Sequence, residues 1–512
     1  MIQDILDLWM QKSDFYLELL LEHIQISMTA IIIAGCLGLC IGILIAEYQK
    51  TSKVALGVIN FMYTIPSISL LGFLIPLSGI GNTTAILALT IYALLPMVRN
   101  THTGLVNVQP LIIEAAKGMG STRFQILYKI KLPLAMPVIM SGIRNMAVMT
   151  IALAGIASFI GAGGLGVAIY RGITTNNKAM TIIGSLMIAL LALFIDWMLG
   201  FVEKVMNRRG IKNKEKKKKV LIISVGIISI CTLFYTLTGS SNKDTIHIAT
   251  KPMSEQYVIG EMLRTLIEQD TDLEVDMTQG VGGGTNNIHP AMVSKEFDLY
   301  PEYTGTGWSQ VLKESDLYTE DLFDRLQDGY HNLGMKWESL LGFNNTFGIA
   351  VRKEIAEEYN LKTYSDLQKV ADQLTFGAEY DYFERADGYD AFCEKYGLTF
   401  KNTTDLDIGL KYDAIREHKI DAMVVFTTDG QLAATEITVL KDDKNLYPSY
   451  MCGFVVREEI LEKYPEIKGV LKKLDHAISD SDMSQMNYLV ETKKQEPKDV
   501  ADEFLKKKGL LE

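Results

Sequence analysis

Apolar positions follow two different rules along the chain. Up to about residue 240 they come in runs of roughly 20, the length that crosses a bilayer at about 1.5 Å per helical residue. These runs predict six membrane spans, at 21–46, 55–77, 84–98, 136–160, 179–202 and 220–237. The third is short, which leaves its ends undefined. In the second, Tyr63-Thr64-Ile65-Pro66-Ser67 puts a proline inside the helix, where it frees a carbonyl and kinks the axis. From residue 245 onward, short β-rich runs alternate with amphipathic helices. Strands are predicted at 245–250, 273–277 and 297–303, and a helix over 254–269 with Val258, Met262, Leu263 and Leu266 on one face. A glycine-rich turn at 280–284 precedes a helix that begins near Asn286. Such alternation predicts an α/β architecture with largely parallel sheets. About 270 residues is long for one core. Two lobes follow, about 245–345 with 452–512 and about 346–451, the chain crossing at 343–350 and returning at 447–455.

Charge then orients the membrane half. Lys50 with Lys53, the basic stretch 114–133, and the cluster from Lys204 to Lys219 alternate with connections poor in charge. Basic loops stay cytoplasmic, so an N-terminus outside the cell puts every one of them inside. The cluster at 204–219, directly before the apolar 220–237, reads as a topology anchor. The expected organisation is a membrane domain over 1–206, a basic linker and sixth span over 207–244, and a domain outside the plasma membrane over 245–512. Net charge of −11 averages these unlike halves and argues against nucleic acid. The acidic, amphipathic start, MIQDILDLWMQKSDF, is not a cleavable signal peptide. None of the five cysteines forms a CxxC pair; Cys36 and Cys40 suit helix packing, and Cys393 and Cys452 can bond only where the fold joins them. His247, His289, His331 and His418 show no metal spacing, and no GxSxG elbow occurs. Neither a metal, a cofactor nor a catalytic residue is expected in this chain.

The stretch 114–133 carries Lys117, Arg123, Lys129 and Lys131 between apolar runs. Its small residues Ala115, Ala116, Gly118 and Gly120 clear room for another helix, and Leu132-Pro133 is expected to end it. It thus reads as a socket for a soluble cytoplasmic partner. Gly161-Ala162-Gly163-Gly164-Leu165-Gly166 matches GxGxxG, but it is flanked by membrane helices rather than by a βαβ unit, so a tight turn with close helix approach replaces the nucleotide reading. The sequence Glu114-Ala115-Ala116, Gly118, Gly120 and Ile130-Lys131-Leu132-Pro133 resembles the EAA loop of ABC importer permeases. The glycine turn and Thr64-Ile65-Pro66-Ser67 are similar to stretches of osmoprotectant permeases. The resemblance implies a type I importer fold in which Glu114, Ala115, Ala116, Gly118, Gly120, Leu132 and Pro133 couple to a separate ABC ATP-binding subunit. One such loop per chain implies a homodimer, with ATP hydrolysed by the partner.

In the second half, aromatic and short polar residues recur at strand ends and crossovers: Tyr300, Tyr303 with Thr304-Gly305-Thr306, Asn344-Asn345-Thr346-Phe347, Phe426-Thr427-Thr428-Asp429, and Tyr447 to Tyr450. No Lys-Ser or Lys-Thr follows the glycine turn at 280–284, so it is no phosphate loop. Converging rings would hold a quaternary ammonium, which has no N–H to donate. Each ring stabilises the cation by up to about 2 kcal/mol when desolvated, so three or four suffice for micromolar binding. Taken singly, each aromatic suits a core better than a cage. The half resembles the substrate-binding domains of glycine betaine, carnitine and choline importers, in a periplasmic-binding-protein-like fold. Asp298 to Thr306 carries the family's Y-T-G-T, which implies Tyr303 as a cage wall and Thr306 as a carboxylate contact. Asn345-Thr346-Phe347 and Phe426-Thr427-Thr428-Asp429-Gly430 match two further motifs, with Phe347 and Phe426 where tyrosine is common. Gln256 stands where the family has a carboxylate-binding glutamine, and Tyr447 or Tyr450 supplies the fourth wall. Glu379 to Gly388 resembles an element shared with ergothioneine importers. There Arg385 pairs with a ligand carboxylate and Asp387 takes an imidazole N–H or braces Arg385; an ion pair internal to the lobe is the alternative. A plain betaine and one carrying a heterocycle stay unseparated. A sensory receptor is the rival class, but it needs a cytoplasmic output domain for which the connections are too short.

Overall fold

The computed structural model describes residues 2–175, 177–207, 244–385, 387–432, 435–447 and 449–511. The chain divides into two compact units, Met1–Ile169 with Ile182–Asn242, and Tyr170–Thr181 with Lys243–Glu512.

In the first unit, Ser13–Glu47, Asn82–Val106, Leu132–Ala154 and Lys178–Asn207 are long apolar helices. Small residues set the closest packing. A Cβ on Gly38 would meet Met97 Cγ at 2.7 Å, and one on Gly42 would meet Thr101 Cβ at 2.5 Å, so the first helix lies backbone-close to Asn82–Val106. Three expectations need correction. Residues 55–77 do not form one straight helix: Lys50–Thr64 and Ser67–Ser78 meet at 100°, a sharper break than a kink, where Pro66 removes a donor. The short run 84–98 belongs to a 25-residue helix, whose buried face continues past it through Thr101, Gly104 and Leu105. The fourth span ends at Ala154; after Gly155 a 3-10 turn over Ala157–Ile160 leads to Gly161 (φ 73°) and Gly164 (φ 94°), the positive-φ turn expected of the glycine stretch. The expected sixth span, 220–237, lies outside the described residues. By length and composition, up to five spans are present among the described residues, counting the bent pair as one.

Leu132-Pro133 does not end the basic stretch. Pro110–Gly118 is a helix, Gly120 (φ 81°) turns the chain, and Thr122 caps a new helix reciprocally with Gln125. That helix passes through a π turn at Leu127–Lys131 straight into Leu132–Ala154. Pro133 lies inside this continuous rod, directly after the π turn, and it is at that locally widened turn that the rod accommodates a residue with no N–H to donate.

The second unit holds two five-stranded sheets. Strands β1 (Thr245–Ala249), β2 (Glu274–Thr278), β3 (Leu299–Tyr303), β4 (Met335–Asn344) and β10 (Met451–Arg457) form one, in the order β2-β1-β3-β10-β4. Strands β5 (Phe347–Arg352), β6 (Thr375–Ala378), β7 (Asn402–Asp405), β8 (Ala422–Phe426) and β9 (Ile437–Val439) form the other, in the order β7-β6-β8-β5-β9. The sheets are mixed rather than largely parallel. β1 runs parallel to β2 and β3, and β6 to β7 and β8, whereas β10 is antiparallel to β3 and β4, and β5 to β8 and β9. The antiparallel members are those entered by crossing between lobes. The chain passes from β4 to β5 within three residues and later returns into β10. Ser254–Asp270 covers the first sheet with Val258, Met262, Leu263 and Leu266, all fully buried. Cys393 and Cys452 are separate thiols.

Candidate functional site

Both crossings deliver side chains to one place. Phe347 opens β5, and its ring centroid lies 5.3 Å from that of Tyr382, 5.2 Å from Phe426, 5.3 Å from Tyr447 and 5.6 Å from Tyr450. Phe426 arrives from the end of β8 paired with Phe347, and Tyr447 and Tyr450 lie on the return to β10. A cation already stands on this cluster. The Arg385 guanidinium lies 5.2 Å from the Phe347 centroid and 5.8 Å from that of Tyr450, inside the roughly 6 Å over which a ring face attracts positive charge. Arg385 donates to both Asp387 oxygens, at 2.7 and 2.6 Å, and to Thr306 Oγ1 at 3.4 Å, while the Tyr450 hydroxyl donates to Asp387. Burial by itself would push the Asp387 carboxyl up; the Arg385 charge and these hydrogen bonds outweigh it and hold the group below its ordinary value. The buried Lys411 ammonium lies 4.8 Å from the Phe426 ring centroid and donates to Glu379 at 2.6 Å.

Beside the rings lies a small polar cleft, whose walls include Glu255, Asn345, Phe426, Thr428, Asp429 and Asn487. Glu255, in the first turn of Ser254–Asp270, is 3% exposed. It accepts hydrogen bonds from the Tyr303 hydroxyl at 2.5 Å, Asn345 Nδ2 at 2.9 Å, Thr428 Oγ1 at 2.7 Å and Asn487 Nδ2 at 3.3 Å. Burial raises its pKa in spite of the four donors. The carboxylate ties the first lobe, through Tyr303 and Asn487, to the crossing at Asn345 and to Thr428 of the second lobe.

Of the expected site residues, the fold therefore gathers Thr306, Phe347, Arg385, Asp387, Phe426, Tyr447 and Tyr450 around one hub. Tyr303 is set apart: it belongs to the Glu255 network, accepts from Gln256 Nε2 at 3.1 Å, and has Lys251 Nζ 4.8 Å from its ring. Gln256 is wholly buried, its Oε1 accepting from the Lys251 backbone N–H. Thr427 is exposed and braces the crossing through the Thr346 N–H and the Asn344 carbonyl; the buried threonine is its neighbour Thr428. Arg385 and Asp387 form the lobe-internal pair. Tyr382, whose hydroxyl is 2.6 Å from that of Tyr447, is a fifth ring not expected from sequence, and Glu255, Lys411 and Asn487 were also missed. Tyr382 lay within a quoted motif, whereas Glu255 reads locally as an ordinary acidic residue in a helix first turn.

On the membrane unit, Glu114, Ala115, Gly118 and Gly120 are exposed, and a Cβ on either glycine meets nothing within 4 Å. Ala116 is instead 1% exposed, so it packs inward and offers no room outside. Leu132 is half-buried and Pro133 exposed, within the continuous rod. Met119, Phe124 and Tyr128 stand 80%, 74% and 65% exposed, the last two stacked with centroids 6.4 Å apart; they form an apolar surface around the glycines that the basic charge pattern concealed.

Residues 244–507 match the family described as the substrate binding domain of ABC-type glycine betaine transport systems, and 38–208 match the binding-protein-dependent transport system inner membrane component. Along 93% of the chain and 88% of the relative, the sequence is 39% identical to the ergothioneine transport permease/ergothioneine binding protein EgtU of Helicobacter pylori. It is 33% identical to the carnitine transport binding protein OpuCC of Listeria monocytogenes, over 58% of this chain and 99% of that protein. Against the glycine betaine/carnitine/choline transport system permease protein OpuCD of Bacillus subtilis it is 37% identical, over 44% of this chain and 96% of the relative.

Proposed function

We propose, because this chain belongs to the ABC importer family in which a binding-protein-dependent permease domain is fused to a glycine-betaine-type substrate-binding domain, that it captures a quaternary-ammonium compound and passes it through its own membrane domain. The observation that carries the reading is the ring cluster around Phe347 with a guanidinium seated on it: the faces that hold this cation suit a methylated ammonium equally well. A ligand entering there would exchange with Arg385, whose fork then pairs with the ligand carboxylate. Of the candidate ligands, a betaine bearing an N–H heterocycle such as ergothioneine is favoured by the polar cleft beside Phe426, with its carboxylate and amide acceptors, and by the relative that matches nearly the whole chain. Carnitine and glycine betaine need only the rings and Arg385, and choline, which has no carboxylate, needs only the rings.

In this reading the α/β domain lies outside the plasma membrane, the chain works as a homodimer, and no cofactor binds to it. A separate ATP-binding subunit docks on the exposed surface around Gly118 and hydrolyses ATP. Uptake of radiolabelled choline, carnitine, glycine betaine and ergothioneine by proteoliposomes holding the chain and its ATP-binding subunit tests the proposal. ATP-dependent accumulation of at least one is expected, and accumulation of none of the four contradicts it. Gly118→Trp tests the docking surface. A Cβ there meets nothing within 4 Å, so the added bulk projects from an open surface, and uptake is expected to fall at least tenfold while ligand affinity stays within twofold. Wild-type uptake would exclude this surface from coupling.

A further inference from the structure

The helical rod Arg123–Ala154 starts in the exposed basic stretch and runs without interruption into the membrane unit. Its apolar part carries one arginine, Arg144, whose side chain is 32% exposed. Arg144 lies about 18 Å beyond Leu132 at 1.5 Å per residue, where a charge is tolerated only when paired or wetted. Its Nε and Nη2 donate to the two oxygens of Asp196, at 2.9 and 2.8 Å, and its Nη1 donates to Glu203 at 3.0 Å. Asp196 and Glu203 are two turns apart on one face of Lys178–Asn207, and Gly200 lies between them. A Cβ on Gly200 would stand 3.3 Å from the Arg144 Cζ, so the helix backbone closes directly on the guanidinium. Lys131, at the π turn, holds the same rod to Glu47 at the end of Ser13–Glu47 with a 2.5 Å ion pair. The rod that carries the partner-facing surface is therefore gripped by charge at two heights, and the deeper grip uses every arm of one side chain.

We propose that Arg144 is the positioning residue that passes displacement of the Arg123–Ala154 rod to Lys178–Asn207, so that its two-carboxylate clamp couples ATP hydrolysis to substrate movement. Geometry favours such a clamp over a simple packing contact. A planar fork held by two carboxylates resists both sliding and rotation of one helix on the other, which apolar contact alone permits. The assignment rests on the ATP-driven importer reading above.

The test uses the full chain reconstituted with its ATP-binding subunit and measures ligand accumulated per ATP hydrolysed, a ratio unaffected by the fraction of molecules that fold. Arg144→Gln is expected to lower this ratio at least tenfold while basal hydrolysis stays within about twofold and ligand affinity is unchanged. Arg144→Lys, which keeps the charge but not the fork, restores it only in part. Unchanged coupling in Arg144→Gln overturns the proposal. Should Arg144→Gln fail to assemble, Asp196→Asn and Glu203→Gln each remove one arm: a lowered ratio in either supports the clamp, and wild-type ratios in both overturn it. A wild-type complex that accumulates no ligand identifies the importer reading as the failure, and the clamp falls with it.

Discussion

Glu255→Ala is expected to lower the melting temperature of the α/β domain by about 6–12 °C. The carboxylate is the common acceptor for Tyr303, Asn345, Thr428 and Asn487. Each buried donor left unpaired costs about 1–3 kcal/mol, and partial re-pairing with water leaves a net loss of about 3 kcal/mol. At about 2–4 °C per kcal/mol for a domain of this size, that gives the stated range. Its pH dependence has a definite sign. Burial raises the Glu255 pKa above the ordinary 4.5, so the folded state holds its proton more tightly than the unfolded chain. The stability it contributes is fully present below about pH 4.5 and is lost as pH rises through the folded value. Glu255→Gln cannot titrate. Thermal melts between pH 4 and 8 should therefore show wild type losing stability relative to Glu255→Gln as pH rises, and a difference independent of pH would show that burial does not raise the Glu255 pKa.

Phe347→Ala carries the second large effect, on affinity. Removing the hub deletes one cation-facing ring and frees four others from their packing, and the loss of about 2 kcal/mol from the ring face alone corresponds to roughly 30-fold in Kd. With repacking included, at least 100-fold weaker ligand binding is expected. Phe347→Leu separates the contributions. It keeps apolar volume at a cost below about 1.5 kcal/mol of stability but has no π face, so binding should still weaken at least tenfold in a protein that melts within a few degrees of wild type. Equal affinity in Phe347→Leu would mean that the pocket uses only volume.

How far the sequence reached depends on the range of the forces involved. β1, β2, β3 and Ser254–Asp270 were legible because apolar periodicity is local, as was the break at Pro66, where proline acts on its own turn. The antiparallel course of β5 and β10 was not legible: strand direction is set by the crossing between lobes, and periodicity of two is blind to it. Pro133 misled because the π turn before it, which lets the helix continue through a proline, leaves no mark in the sequence. Within the site, motifs placed Phe347, Phe426, Tyr447, Tyr450, Arg385 and Asp387 near one another. They placed Tyr303 there as well, although its hydroxyl is taken by Glu255, 48 residues away. The other donors to Glu255 lie 90, 173 and 232 residues distant, so nothing local marks that carboxylate as buried. Thr427 and Thr428 differ only in which side of the strand end they face, a matter of register.

The most direct test of cation capture by the ring cluster is isothermal titration of the full-length protein in nanodiscs with choline, carnitine, glycine betaine and ergothioneine, each compared with its analogue lacking the quaternary methyl groups. Micromolar or tighter binding of at least one, weakened at least tenfold when the methyl groups are removed, is the predicted result. No heat with any of the four, or equal affinity for the unmethylated analogue, would contradict it.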